Sequence, residues 1–131
     1  MVPVMLNGGH GSAGRAAQTP HEQFALDVCS LLHGLPPGEP AVTAKRQLTR
    51  AATSVAFNYR AACRARSHGE FTAKIGTVAE ESDEAQGWLE FMEAAGLIQS
   101  PELIRLTEEA KEITAIMSAS LGTARHNQRR L

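Results

Sequence analysis

Apolar residues recur along this chain at helical spacing, in four blocks separated by short polar or Gly/Pro-rich stretches. The first block opens at Thr19, an N-cap candidate, with Pro20 at the first helical position and Glu22 completing a capping box. Phe24, Ala25, Val28, Leu31 and Leu32 then mark one face, and Gly34, Pro36 and Pro37 end the block. The second block runs from about Thr43, a further N-cap candidate, to about Ser67. Its residues Leu48, Ala52, Val55, Tyr59 and Ala62 fall within about ±40° of one direction on a helical wheel. The third block starts between Ser67 and Glu70 and keeps a strict alternation of fours and threes through Phe71, Ile75, Val78, Ser82, Ala85, Leu89 and Met92. That is a coiled-coil-like seam with one polar member, Ser82. Gly96 closes this block. Ser100 and Pro101 open the fourth, whose seam is Leu103, Leu106, Ala110, Ile113 and Met117.

The pattern predicts helices near 20–33, 43–67, 69–95 and 101–124, and an all-α fold. Connections of a few residues make neighbours antiparallel, so the expected architecture is an up-and-down four-helix bundle over 19–125. Residues 1–18, rich in Gly, Ala and Ser, read as a mobile tail, and 126–131 as a short basic tail. No strand signal stands out, since β-branched residues are scattered and no hairpin dipeptide joins alternating runs.

A chain of 131 residues, 43% hydrophobic, is one domain that leaves much apolar surface to cover. Trp88, Phe91 and Ile116 lie off the main seams, so helices three and four offer more than one apolar face. A homo-oligomer is the expected answer. Cys29 and Cys63 belong to no metal-spaced pair and read as small buried thiols in a reducing compartment. The apolar runs fall short of the roughly 18 residues a membrane span needs, and the first residues lack the pattern of a signal peptide. A cytoplasmic location without membrane attachment follows as an expectation.

Charge is distributed unevenly although the net value is only −1. Helix two carries Lys45, Arg46, Arg50, Arg60, Arg64 and Arg66 and no acid. Helix three carries Glu70, Glu80, Glu81, Asp83, Glu84, Glu90 and Glu93 against the single base Lys74. Arg46, Arg50, Arg60 and Arg64 converge opposite the apolar stripe, with Phe57 in their midst. One reading is a stripe that contacts the phosphates of RNA or DNA, with Phe57 for stacking. The other is a solvated or subunit-facing surface whose arginines pair with acids of helix three.

Reaction chemistry has little to build on. The histidines, His10, His21, His33, His68 and His126, form no Glu-x-x-His or HExxH, and no P-loop or GxGxxG is present. The Gly-rich GGHGSAG near the start follows no strand. Glu80, Glu81, Asp83 and Glu84 spread around more than half the wheel, which suits a solvated face better than a metal site. We therefore expect no enzyme activity, no metal and no cofactor.

Within Arg46–Ile98 the chain carries Ser54, Val55 and Asn58, then Ala65-Arg66-Ser67, the acidic run Glu80–Glu84, and Trp88-Leu89-Glu90. In these features it resembles the four-helix bundle proteins of the 23S rRNA intervening-sequence family, over about 20–125. The resemblance implies a four-helix protomer assembled as a ring-like homopentamer. That family includes the accessory variability determinant of diversity-generating retroelements, a basic barrel that binds nucleic acid and a reverse transcriptase. This chain departs from it in its net charge of −1, and it has Ala61 where members usually have Glu. The expected function is a non-enzymatic oligomeric scaffold or adaptor that binds nucleic acid, or a nucleic-acid enzyme, through helix two. The alternative is a structural or protein-binding oligomer that uses the same face between subunits.

Overall fold

The computed structural model describes residues 19–130, so the expected mobile tail over 1–18 and its GGHGSAG stretch lie outside the described residues. Four helices occupy Pro20–Leu32 (α1), Ala41–Cys63 (α2), His68–Ala94 (α3) and Pro101–Arg130 (α4), with no strand among the described residues. Each helix packs on the next, and α4 also touches α1.

The helix starts follow from their caps. Thr19 Oγ1 accepts from the Glu22 N–H at 3.1 Å and Glu22 Oε1 accepts from the Thr19 N–H at 3.0 Å, the reciprocal pair expected of a capping box. Helix α2 starts before the expected Thr43. Pro40 holds the cap position without a side-chain bond, and Glu39 supplies the missing acceptor. Its Oε1 accepts from the Thr43 N–H at 3.1 Å and from the Thr43 hydroxyl at 2.7 Å. Those two bonds hold the Glu39 carboxyl below the usual carboxylate range.

Two boundaries differ from the expected ones for local reasons. Helix α2 ends at Cys63 rather than near Ser67. Ser67 takes an extended backbone, φ −148° and ψ 160°, so that its Oγ accepts from the Glu70 N–H at 3.0 Å and caps α3. A residue cannot continue one helix and cap the next. At the other end, α4 continues through 126–130, past the expected end near 124 and into the expected basic tail. No proline or other breaker follows Gly122, and the bases Arg125 and Arg129 suit the negative end of a helix.

The seams form the core. Leu48, Val55, Ile75, Leu89, Leu106 and Ile113 are all buried, as their spacing predicts. On α2 the inner face is largely alanine, with Ala44, Ala51, Ala52, Ala56 and Ala62 buried beside Leu48 and Val55. Ser82, fully buried, pairs its hydroxyl with that of Thr114 at 2.8 Å across α3 and α4, and also donates to the Ala79 carbonyl at 3.1 Å. Nearer the start of α3, His68 Nε2 bonds the Ala124 carbonyl at 2.8 Å. Asp27 of α1 meets Arg105 of α4 at 2.9 Å, and Arg105 also binds Glu102 and Glu109. Glu102 and Asp27 raise the guanidinium's proton affinity further.

Cysteine placement departs from the expectation of two buried thiols. Cys29 is half-buried, whereas Cys63, the last residue of α2, is exposed. Nearby, the His21 ring stacks on Tyr59 with centroids 4.0 Å apart and planes 18° from parallel. Burial holds the His21 imidazole below its ordinary value, and its Nδ1 has no hydrogen-bond partner among the described residues.

Two outcomes are expected. Leu89→Ala should lower stability by about 2–5 kcal/mol in a denaturant titration, through lost burial and the cavity left behind. Stability should also depend on pH through His21. The unfolded imidazole takes up a proton below about pH 6.5, while the folded one resists until its lowered value is reached. Stability should therefore be level above that pH and decline as the pH falls below it. Urea titrations of His21→Phe from about pH 5 to about pH 8 should show a shallower decline than the parent.

Candidate functional site

The alanine face of α2 turns inward, so its arginines turn out. Arg46, Arg50, Arg60 and Arg64 are all exposed, and Phe57 in their midst is 64% exposed. The expected stripe therefore exists on the protomer surface, but it is not uniform. Arg50 reaches across to α3, where its Nη1 lies 3.1 and 3.2 Å from the two Glu81 carboxylate oxygens and its Nη2 binds Glu84. Both carboxylates raise the proton affinity of Arg50. Arg46, Arg60 and Arg64 make no ion pair among the described residues. The stripe is thus interrupted at Arg50 by acids of α3. Beyond the interruption Phe57 and Arg60 stand exposed near the end of α2, with Arg64 exposed at its C-cap.

Sequence reasoning missed a second feature beside this face. The start of α2 and the last turns of α3 enclose an open groove of about 710 Å³. Pro40, Thr43, Gly87, Trp88 and Phe91 line it, and Glu39, Asp83 and Glu84 bring acid to it. Trp88 is half-buried against the core and meets Phe91 edge to face, centroids 5.5 Å apart. Gly87 was the available signal. It is an exposed glycine inside a helix, and a Cβ built there would meet no atom within 4 Å. A smaller groove of about 440 Å³, lined by His68, Phe71 and Ala119 among others, lies between α3 and α4.

The carboxylates Glu80, Glu81, Asp83 and Glu84 do not converge. Two of them hold Arg50, and Glu80 and Asp83 are exposed in no ion pair among the described residues. Among the described residues no three metal-binding side chains come together, and no helix is long and apolar enough to cross a membrane.

A family model described as 23S rRNA-intervening sequence protein matches residues 19–119. The chain belongs to that family. Among solved structures, a protein of unknown function from the S23 ribosomal protein family of Bacteroides thetaiotaomicron shares the fold. It is 23% identical, with a TM-score of 0.70 over 77% of this chain and 94% of that one. No curated protein matches.

The residues that carry the family resemblance are largely structural here. Val55 and Leu89 lie in the core. Asn58 Nδ2 donates to the Ser54 carbonyl and hydroxyl oxygens, both at 2.9 Å, inside one turn of α2. Trp88 is the exception, because it both packs on the core and faces the groove.

The Arg50 clamp is exposed and should be weak. Changing Glu81 and Glu84 together to Gln should cost under about 1 kcal/mol per pair at low salt. The loss should shrink toward zero near 1 M salt, where the screening length falls to about 3 Å.

Proposed function

We propose that this family member is a non-enzymatic homo-oligomeric scaffold or adaptor, an antiparallel up-and-down bundle that offers the outer face of α2 to other macromolecules in the cytoplasm. The antiparallel arrangement is supported by the paired positions along α3 and α4, His68 with Ala124 and Ser82 with Thr114. Self-association is supported by large apolar side chains left exposed on several helices, with Ile104 at 57% and Ile116 at 59% beside Phe57. Five copies is the number the family resemblance suggests.

One observation carries the reading of the α2 face. Phe57 stands exposed beside Arg60 and Arg64, and aromatic and arginine side chains together are what protein interfaces concentrate at their anchors. The clamp on Arg50 supports a protein partner over a polyanion, because Glu81 and Glu84 set negative charge against the same face. A second reading, nucleic acid, rests on Arg46, Arg60 and Arg64 being exposed and outside any ion pair among the described residues.

Light scattering should give a multiple of the 14.0 kDa protomer mass, and a 14.0 kDa particle would sink the oligomeric reading. A filter-binding titration at about 50 mM salt separates the two uses of the face, since electrostatic contacts to phosphate are strong there. The protein-partner reading expects no retention of RNA or DNA. Retention with a log–log salt slope approaching about −3, flattened by about one unit for each of Arg60→Ala and Arg64→Ala, would assign the face to nucleic acid.

A further inference from the structure

The groove between α2 and α3 has an apolar lining from Pro40, Gly87, Trp88 and Phe91, with Asp83 and Glu84 beside it. Its natural occupant is a bulky apolar side chain with positive flanks. Among the described residues one such group stands out. Leu26, Ile104 and Ile116 are exposed, but each has an acid four residues away on its own helix, at Glu22, Glu108 and Glu112 respectively. Phe57 has Arg60 three residues and Arg64 seven residues further along, and α2 contains no acid at all. Val42 shares that basic helix, but it is smaller than Phe57 and less exposed.

Phe57 cannot fill the groove of its own chain. Thr43, which lines the groove, and Phe57 lie 14 residues apart on one unbroken helix, about 21 Å along its axis at 1.5 Å per residue. A second molecule must supply the occupant. We propose that Phe57 of one copy seats in the Trp88–Phe91 groove of another, with Arg60 and Arg64 set against Asp83 and Glu84. This rests on the oligomeric reading above and names the surfaces that join. Each copy carries both halves of the contact, so association can continue until it closes on itself.

Two substitutions test it without disturbing the core. Phe57→Glu replaces an exposed side chain and brings an acid to an acidic rim. Gly87→Arg fills the groove from within α3 at a position where a Cβ meets nothing, and it replaces a poor helix former with a good one. Circular dichroism should show both variants as helical as the parent at about 25 °C, with any lower melting temperature vanishing at dilutions where the parent is also dissociated. In sedimentation at micromolar concentration, each variant alone should associate about 30-fold or more weakly, the loss typical of an anchor residue. Mixed in equal parts, they should associate with one another, because each supplies the half the other lacks.

The possible failures are distinct. A parent protein that stays a monomer up to about 100 µM overturns both this contact and the oligomeric reading. Variants that assemble like an oligomeric parent overturn this contact alone. Dissociated variants that fail to recombine show that Phe57 and the groove do not meet each other, which also overturns it. Loss of nucleic-acid retention in Phe57→Glu, with assembly unchanged, gives the face to nucleic acid instead.

Discussion

A buried hydroxyl needs a partner, and the register of the bundle hangs on how Ser82 finds one. It is the only polar member of the α3 seam, and across the interface with α4 it meets Thr114. Sliding α4 by one turn toward Ala110 would place an apolar side chain opposite Ser82 and leave its hydroxyl only the local Ala79 carbonyl, and sliding it the other way would draw the exposed Ser118 into the core. With Ser82 and Thr114 aligned, His68 falls beside Ala124 and the other α3 seam residues meet apolar neighbours. Because α3 packs on α2 as well, its placement also decides what lies beside the arginines. Glu81 and Glu84 flank Ser82 in sequence and come to Arg50, and one to two turns later Trp88 and Phe91 come to the start of α2. The clamp and the groove are both consequences of where α3 sits.

How much of this could be read from the sequence divides along the same line. Helix faces follow from periodicity within one segment, so Leu48, Val55, Ile75, Leu89, Leu106 and Ile113 were correctly placed inside and the arginine stripe correctly placed outside. Boundaries were weaker wherever a residue could serve two roles. Ser67 fits the end of one helix and the cap of the next, and only the cap satisfies an otherwise unbonded N–H. The groove was not legible at all. It joins residues 39–43 to residues 83–91, and no spacing rule within a helix says which faces of two helices will adjoin. The charge pattern showed that acids and bases were numerous enough to neutralise one another. It did not show that Arg50 would be held while Arg46, Arg60 and Arg64 stayed outside any ion pair among the described residues.

That selective pairing changes what the α2 face can do. A polyanion rewards a run of uncompensated positive charge, since each neutralised phosphate releases counterions. Here the run is interrupted at Arg50, with carboxylates alongside it. An interrupted surface of both signs, with an exposed aromatic in it, rewards a partner that matches sign for sign and fills space. The groove at the start of the same helix has the opposite charge and an aromatic wall, so the protomer itself carries a surface of that description.

Glycine supplies an independent argument. Inside a helix it costs about 1 kcal/mol relative to alanine, and that cost calls for a structural reason. Gly76 shows no steric one, because a Cβ there would stand 3.8 Å from Leu121, an ordinary contact at the α3–α4 interface. Gly87 and Gly122 have none either, since a Cβ at each would meet nothing within 4 Å. Any larger side chain at Gly87 would instead occupy the groove beside Trp88 and Phe91. What sets Gly87 apart is its place, because it lines an apolar groove with an acidic rim and its bare backbone keeps that groove open for the side chain proposed to fill it. The side chain on this surface with the size and the charged flanks to do so is Phe57.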